Sequence, residues 1–125
     1  MIDIRAFRKS LSHALRGVSV VYQSEQSFRL QVMAGVLVFF CAFFFRVKTF
    51  EWIVLVLLVG SILSLELINS IFERILDTFK PRIHPVVKDI KDIMAGAVLL
   101  VSLISVFVGT AIFLPHVRAL VRLFS

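Results

Sequence analysis

The chain has 125 residues, enough for one domain. Hydrophobic residues make up 59% and charged residues 18%, with a mean hydropathy of +0.97. This excludes a disordered chain and departs from an ordinary soluble domain, where about 45–50% apolar and about 25% charged is usual. The net charge of +6 could suit nucleic acid or an anionic membrane surface. No compact Lys/Arg run alternates with aromatics, however, and the 13 Phe sit largely in apolar runs, so membrane lipid is the expected partner and nucleic acid is not.

From the N-terminus, Ile4, Phe7, Leu11, Leu15, Val18 and Tyr22 recur at helical spacing, while Arg5, Arg8, Lys9, Ser12, Arg16 and Ser19 fill the other face. This pattern predicts a basic amphipathic helix within residues 1–28, suited to lie on a membrane surface or to pack on a partner chain. No short apolar region with a small-residue cleavage site precedes the first long apolar run, so no signal peptide is expected.

Three uncharged runs follow, at 30–45, 52–65 and 93–114, with 16, 14 and 22 residues. About 20 residues cross a hydrocarbon core of roughly 30 Å. The predicted spans are 29–46, 51–79 and 86–114, the last two carrying polar extensions. The 14-residue run is too short alone and must borrow residues beyond Glu66. A helix entering at Glu51 then places Glu66 and Asn69 near the edge of the hydrocarbon. A carboxylate there is costly and marks a functional candidate, unless the bilayer thins and leaves it interfacial. The lone cysteine, Cys41, excludes an internal disulfide and reads as a small buried hydrophobe.

Pro81 disfavours helix at Lys80, so the second span should stop near Phe79. Pro85 suits the first turn of the next helix, and Pro115 is expected to end it. Ten Lys/Arg flank the N-terminal segment and the second connection, against four (Arg46, Lys48, Arg118 and Arg122) on the opposite side. The positive-inside rule then puts the N-terminus in the cytoplasm and the C-terminus outside.

Glu66, Asn69, Glu73 and Asp77 are spaced by three, four and four residues, which gathers them in a sector of about 80° on one helix. Lys88, Lys91 and Asp92 share a face near the start of the third span, and Glu25 precedes the first span on the same side. A structural ion-pair network is one account. Two lysines cannot neutralise Glu25, Glu66, Glu73 and Asp77 together, and a hard divalent cation with oxygen ligands fits the set better. Mg²⁺ commonly takes one or two carboxylates plus substrate phosphates, so the pattern reads as a phosphoryl-transfer site at a membrane surface. There is no Walker A loop, kinase Gly-rich loop, H-E-x-x-H or G-x-S-x-G.

The stretch Glu66-Leu-Ile-Asn69-Ser-Ile-Phe-Glu73-Arg-Ile-Leu-Asp77, then His84-Pro85, then Lys88-Asp-Ile-Lys91-Asp92-Ile-Met-Ala-Gly96, resembles the prokaryotic diacylglycerol kinase family of small integral-membrane lipid kinases. The resemblance extends upstream through Ser10-Leu-Ser-His-Ala14-Leu-Arg-Gly17 and Glu25-Gln-Ser-Phe28-Arg29.

It implies an all-α membrane protein with three spans per protomer and an N-terminal surface helix. It also implies a homotrimer with shared sites, in a bacterial cytoplasmic membrane. By the same resemblance Glu66 is the general base and Asn69 orients the site. Glu25 and Glu73 are the Mg²⁺ carboxylates. Lys91 and Lys88 contact phosphate, and Asp77 and Asp92 lie on the nucleotide side. ATP is the implied donor, with Glu66, Ser70 and Ala95 as candidates at the lipid. The acceptor is diacylglycerol or a polyprenol such as undecaprenol; the His84-Pro85 turn and the Ala95-Gly96-Ala97 run resemble the undecaprenol-using branch. Where Ile71-Phe72 stands, the family usually has a small residue followed by an aliphatic one. The rival classes are a non-catalytic membrane scaffold or subunit and a small ion channel.

Overall fold

The structure, a computed structural model, describes residues 1–78 and 85–125. Among these residues the chain forms four helices and no strand: α1 (Ile4–Ser24), α2 (Gln26–Phe44), α3 (Thr49–Thr78) and α4 (Pro85–Phe124). The last three are long and apolar enough to cross a membrane. The second span reaches Thr78. The expected stop near Phe79, the influence of Pro81 on Lys80, and His84 lie outside the described residues.

Asp3 starts α1 by accepting from the backbone N–H groups of Arg5 and Ala6 at 2.9 and 3.3 Å, which satisfies two otherwise unpaired donors. The apolar stripe from Ile4 to Tyr22 is exposed along its length. The predicted 1–28 unit divides at Glu25, whose backbone is extended (φ −121°, ψ 117°), so α2 begins at Gln26. Arg29 stabilises the break. Its Nη1 donates to the carbonyls of Tyr22 and Gln23 at 2.8 and 2.9 Å, occupying acceptors that the end of α1 leaves open.

At the far end of α2 the chain turns in a Schellman motif. The N–H of Arg46 donates to the Phe43 carbonyl and that of Val47 to the Ala42 carbonyl. Arg46 takes the left-handed position (φ 51°) that usually goes to glycine. Val47 and Ala42 are both buried, so the accompanying apolar contact is made, and Leu55 completes that core. Glu51 reaches back to the Lys48 N–H at 3.3 Å and closes the start of α3. Cys41, expected to be buried, is half-buried on α2.

Midway along the spans, a Cβ added to Gly35 on α2 would lie 2.9 Å from Val59 Cγ1 on α3. Gly35→Ala is expected to destabilise the protein by about 1–3 kcal/mol, with Val59→Ala restoring part of the loss. Thermal melting of the single and double variants in detergent checks this; a Gly35→Ala melting point equal to the parent's would show that the crossing is not tight.

The third span differs from expectation at its end. Pro115 does not stop α4, which continues to Phe124. Proline removes one i→i−4 hydrogen bond and crowds the preceding turn. Against that cost, Phe113 and His116 straddle it at i,i+3 and both meet the ring of Phe45, with centroids 6.1 and 5.8 Å away. Continuing the helix keeps both contacts on one face. The result is a 40-residue rod of roughly 60 Å, with no buried residue of its own.

Candidate active site

The polar residues of α3 separate into two rows, each at i, i+4, i+8, with mean directions about 60° apart. Glu66, Ser70 and Arg74 form the row that meets the α1–α2 corner. Asn69, Glu73 and Asp77 form the other.

In the first row Glu66 is 4% exposed and Ser70 is fully buried. Ser27 Oγ donates to Glu66 Oε1 at 2.5 Å, and Gln31 Nε2 donates to Oε2 at 3.4 Å. Among the described residues no cation lies within 4.0 Å of the Glu66 carboxylate. A buried carboxylate held by neutral donors costs free energy that a structural role would not require. One turn further on, Ser70 Oγ donates to Glu25 Oε1. Arg74 Nη2 stands 4.0 Å from the same oxygen and donates to Ser24 Oγ at 2.8 Å.

In the second row Asn69 Nδ2 donates to Glu73 Oε1 at 3.3 Å. Asp77 pairs with Lys91 of α4 at 2.6 Å. Both partners of that pair are substantially exposed, so it contributes at most about 1 kcal/mol and leaves Lys91 free to exchange partners. Lys88, Asp92 and Ala95 are exposed on α4. The structure thus brings Glu25, Ser70 and Glu66 to one corner and Asp77 to Lys91, while Lys88, Asp92 and Ala95 stand apart.

Among the described residues no group of three or more His, Cys, Asp or Glu side chains converges on a metal position. Glu25 and Glu73 nevertheless suit Mg²⁺, which takes one or two carboxylates and completes its shell with water and phosphate. The Glu25 side chain is 19% exposed and accepts from Ser70, and Glu73 follows Ser70 by three residues on α3.

A cleft of about 530 Å³ opens between α2, α3 and α4, lined in part by Gln31, which donates to Glu66. Its walls are apolar or small, including Gly35, Val38, Leu55, Ile62, Gly109 and Phe113, and Gln31 stands at its polar end. Gln31 Oε1 is buried and has no hydrogen-bond partner among the described residues. Reading the sequence alone missed Ser27, Gln31 and Arg74. The available signal was the i,i+4 spacing of Ser27 and Gln31 at the start of α2, opposite a carboxylate in need of donors.

Three membrane-length helices and a buried carboxylate bonded to a residue that lines an apolar cleft define a helical membrane protein with a polar site. A family model for prokaryotic diacylglycerol kinase matches residues 12–113, and the chain belongs to that family of lipid kinases. It is 36% identical over 113 residues to an undecaprenol kinase of Bacillus subtilis, covering 90% of this chain and 92% of that protein. It is 33% identical over 112 residues to a diacylglycerol kinase of Synechocystis sp., covering 89% of this chain and 64% of that protein. No solved structure matches.

Proposed function

We propose that this chain transfers the γ-phosphoryl group of ATP to the hydroxyl of a membrane lipid alcohol, with diacylglycerol as acceptor and phosphatidic acid as product. The observation that carries the reading is the buried Glu66 carboxylate, held by Ser27 and by Gln31, which also lines an apolar cleft. A lipid lying in the cleft that Gln31 lines brings its hydroxyl to the neighbouring Glu66, which accepts the one O–H hydrogen. Glu66 takes the hydroxyl proton as the oxygen attacks the γ-phosphorus and the bond to the bridging oxygen of ADP breaks. Positioning and charge stabilisation carry most of such a transfer. Glu25 and Glu73 would hold Mg²⁺, which would supply charge compensation for the phosphate oxygens. Lys91, released from Asp77, contacts phosphate; Asn69 orients Glu73, and Asp77, Asp92 and Lys88 line the nucleotide side.

The Lys/Arg asymmetry favours a bacterial cytoplasmic membrane with the N-terminus and the α3–α4 connection inside and the C-terminus outside. The exposed stripe of α1 suits it to the inner surface. An α4 without a buried residue supports assembly with further copies, and a homotrimer with shared sites is the proposed state.

Undecaprenol is the second acceptor reading. It is favoured by the match to the Bacillus subtilis undecaprenol kinase along nearly the whole of both chains. Radiolabelled ATP with purified protein and a panel of diacylglycerols and polyprenols tests both. Label in diacylglycerol alone supports the first reading and label in undecaprenol alone the second. Label in neither returns the chain to the non-catalytic scaffold class.

A further inference from the structure

The corner at Glu25 contains a positive charge that the proposed reaction does not use. Arg74 sends Nη2 to Ser24 Oγ at 2.8 Å and Nε to Ser70 Oγ at 3.4 Å, while its approach to Glu25 Oε1 is 4.0 Å. Its hydrogen bonds therefore go to hydroxyls, and it neutralises the carboxylate without being bonded to it. A bidentate arginine–carboxylate pair would hold far more firmly. The Arg74 side chain is 51% exposed against 19% for Glu25, so the guanidinium has water to move into and the carboxylate does not.

We propose that Arg74 is the resident counter-cation of Glu25 and sets the concentration at which a divalent metal takes that carboxylate. The inference rests on Glu25 being a metal ligand, as the proposed function has it. A guanidinium and a divalent ion near one carboxylate repel each other. Metal therefore enters only as Arg74 withdraws from Oε1, while Ser70 stays on the carboxylate and keeps it aimed. Withdrawal also strains the Ser24 bond, which ties the end of α1 to α3, so metal entry loosens that tie.

The test is Mn²⁺, standing in for Mg²⁺, titrated into the full-length protein in detergent with bound metal read by electron paramagnetic resonance. Arg74→Gln and Arg74→Met remove the charge at a half-exposed position where the fold tolerates it, and Arg74→Lys keeps it. The neutral variants are expected to bind Mn²⁺ about three- to tenfold more tightly, with Arg74→Lys within about twofold of the parent. Unchanged or weaker binding in the neutral variants overturns the proposal, as does an equal gain in Arg74→Lys. Glu25→Gln separates the two levels. If it abolishes binding while the Arg74 variants change nothing, Glu25 remains a ligand and only the role of Arg74 falls. If binding survives Glu25→Gln at parental affinity, or if no variant shows a Glu25-dependent site, both fall.

Discussion

Glu66→Gln is expected to lower turnover by about 10²–10⁴-fold, the usual worth of a positioned general base, while the helices and their assembly stay intact. The geometry explains why the two effects separate. Glu66 Oε1 accepts from Ser27 and Oε2 from Gln31. An amide at position 66 keeps one acceptor for Ser27 and presents an NH₂ group toward Gln31. The Gln31 amide, whose Oε1 is buried without a partner among the described residues, can turn over and accept from it. The buried hydrogen bonds survive and a buried charge is removed, so stability holds or rises. Lipid phosphorylation measured alongside thermal melting and size-exclusion chromatography checks this. Parental turnover in Glu66→Gln would remove Glu66 from the base role. Lost turnover with lost assembly would show a structural carboxylate instead.

Glu73→Ala is expected to act mainly through metal. The Glu73 side chain is exposed and accepts one hydrogen bond, from Asn69 at 3.3 Å. Its removal strands no buried group, and such surface changes usually alter stability by no more than about 0.5 kcal/mol. Loss of one of two carboxylates from a magnesium site should raise the Mg²⁺ concentration for half-maximal activity by at least about tenfold. Part of the lost turnover should return as Mg²⁺ is increased. A titration midpoint equal to the parent's would take Glu73 out of the metal set. A fall in turnover that no Mg²⁺ restores would point to Asn69, which Glu73 holds, as the group that matters.

The helices were legible in the sequence because uncharged runs of spanning length admit few alternatives, and the stripe from Ile4 to Tyr22 is a clear 3.6-residue pattern. The continuation of the second span past Glu66 was legible too: a 14-residue run cannot cross about 30 Å, and α3 indeed runs on to Thr78 with that carboxylate inside the helix. Contacts that join distant parts of the chain were not. The sector argument grouped Glu66 with Asn69, Glu73 and Asp77 but gave no sign that Glu66 and Ser70 turn to the α1–α2 corner while Asp77 meets α4. Arg74 looked like a flanking charge, and compensation was sought in Lys88 and Lys91 and, since two lysines could not suffice, in a divalent cation. Of the two lysines Lys91 alone meets an acid within 4.0 Å among the described residues, and Arg74 stands 4.0 Å from Glu25. Pro115 failed as a stop signal because local propensity yields to packing, here the shared contact of Phe113 and His116 with Phe45.

The unequal lengths of the spans make the molecule a gauge of its host bilayer. At 19 residues α2 is roughly 28 Å long, with no surplus over a typical hydrocarbon core of about 30 Å, whereas α3 is about one and a half times and α4 about twice that thickness. The long helices can slide through membranes of different thickness and still keep apolar surface in the acyl chains. α2 cannot, and it is α2 that carries Ser27 and Gln31, with Glu25 immediately ahead of it. The depth of Glu25, Ser27 and Gln31 is therefore referenced to the membrane boundary through the shortest helix. A thicker bilayer draws that corner inward or compels the surrounding lipid to thin.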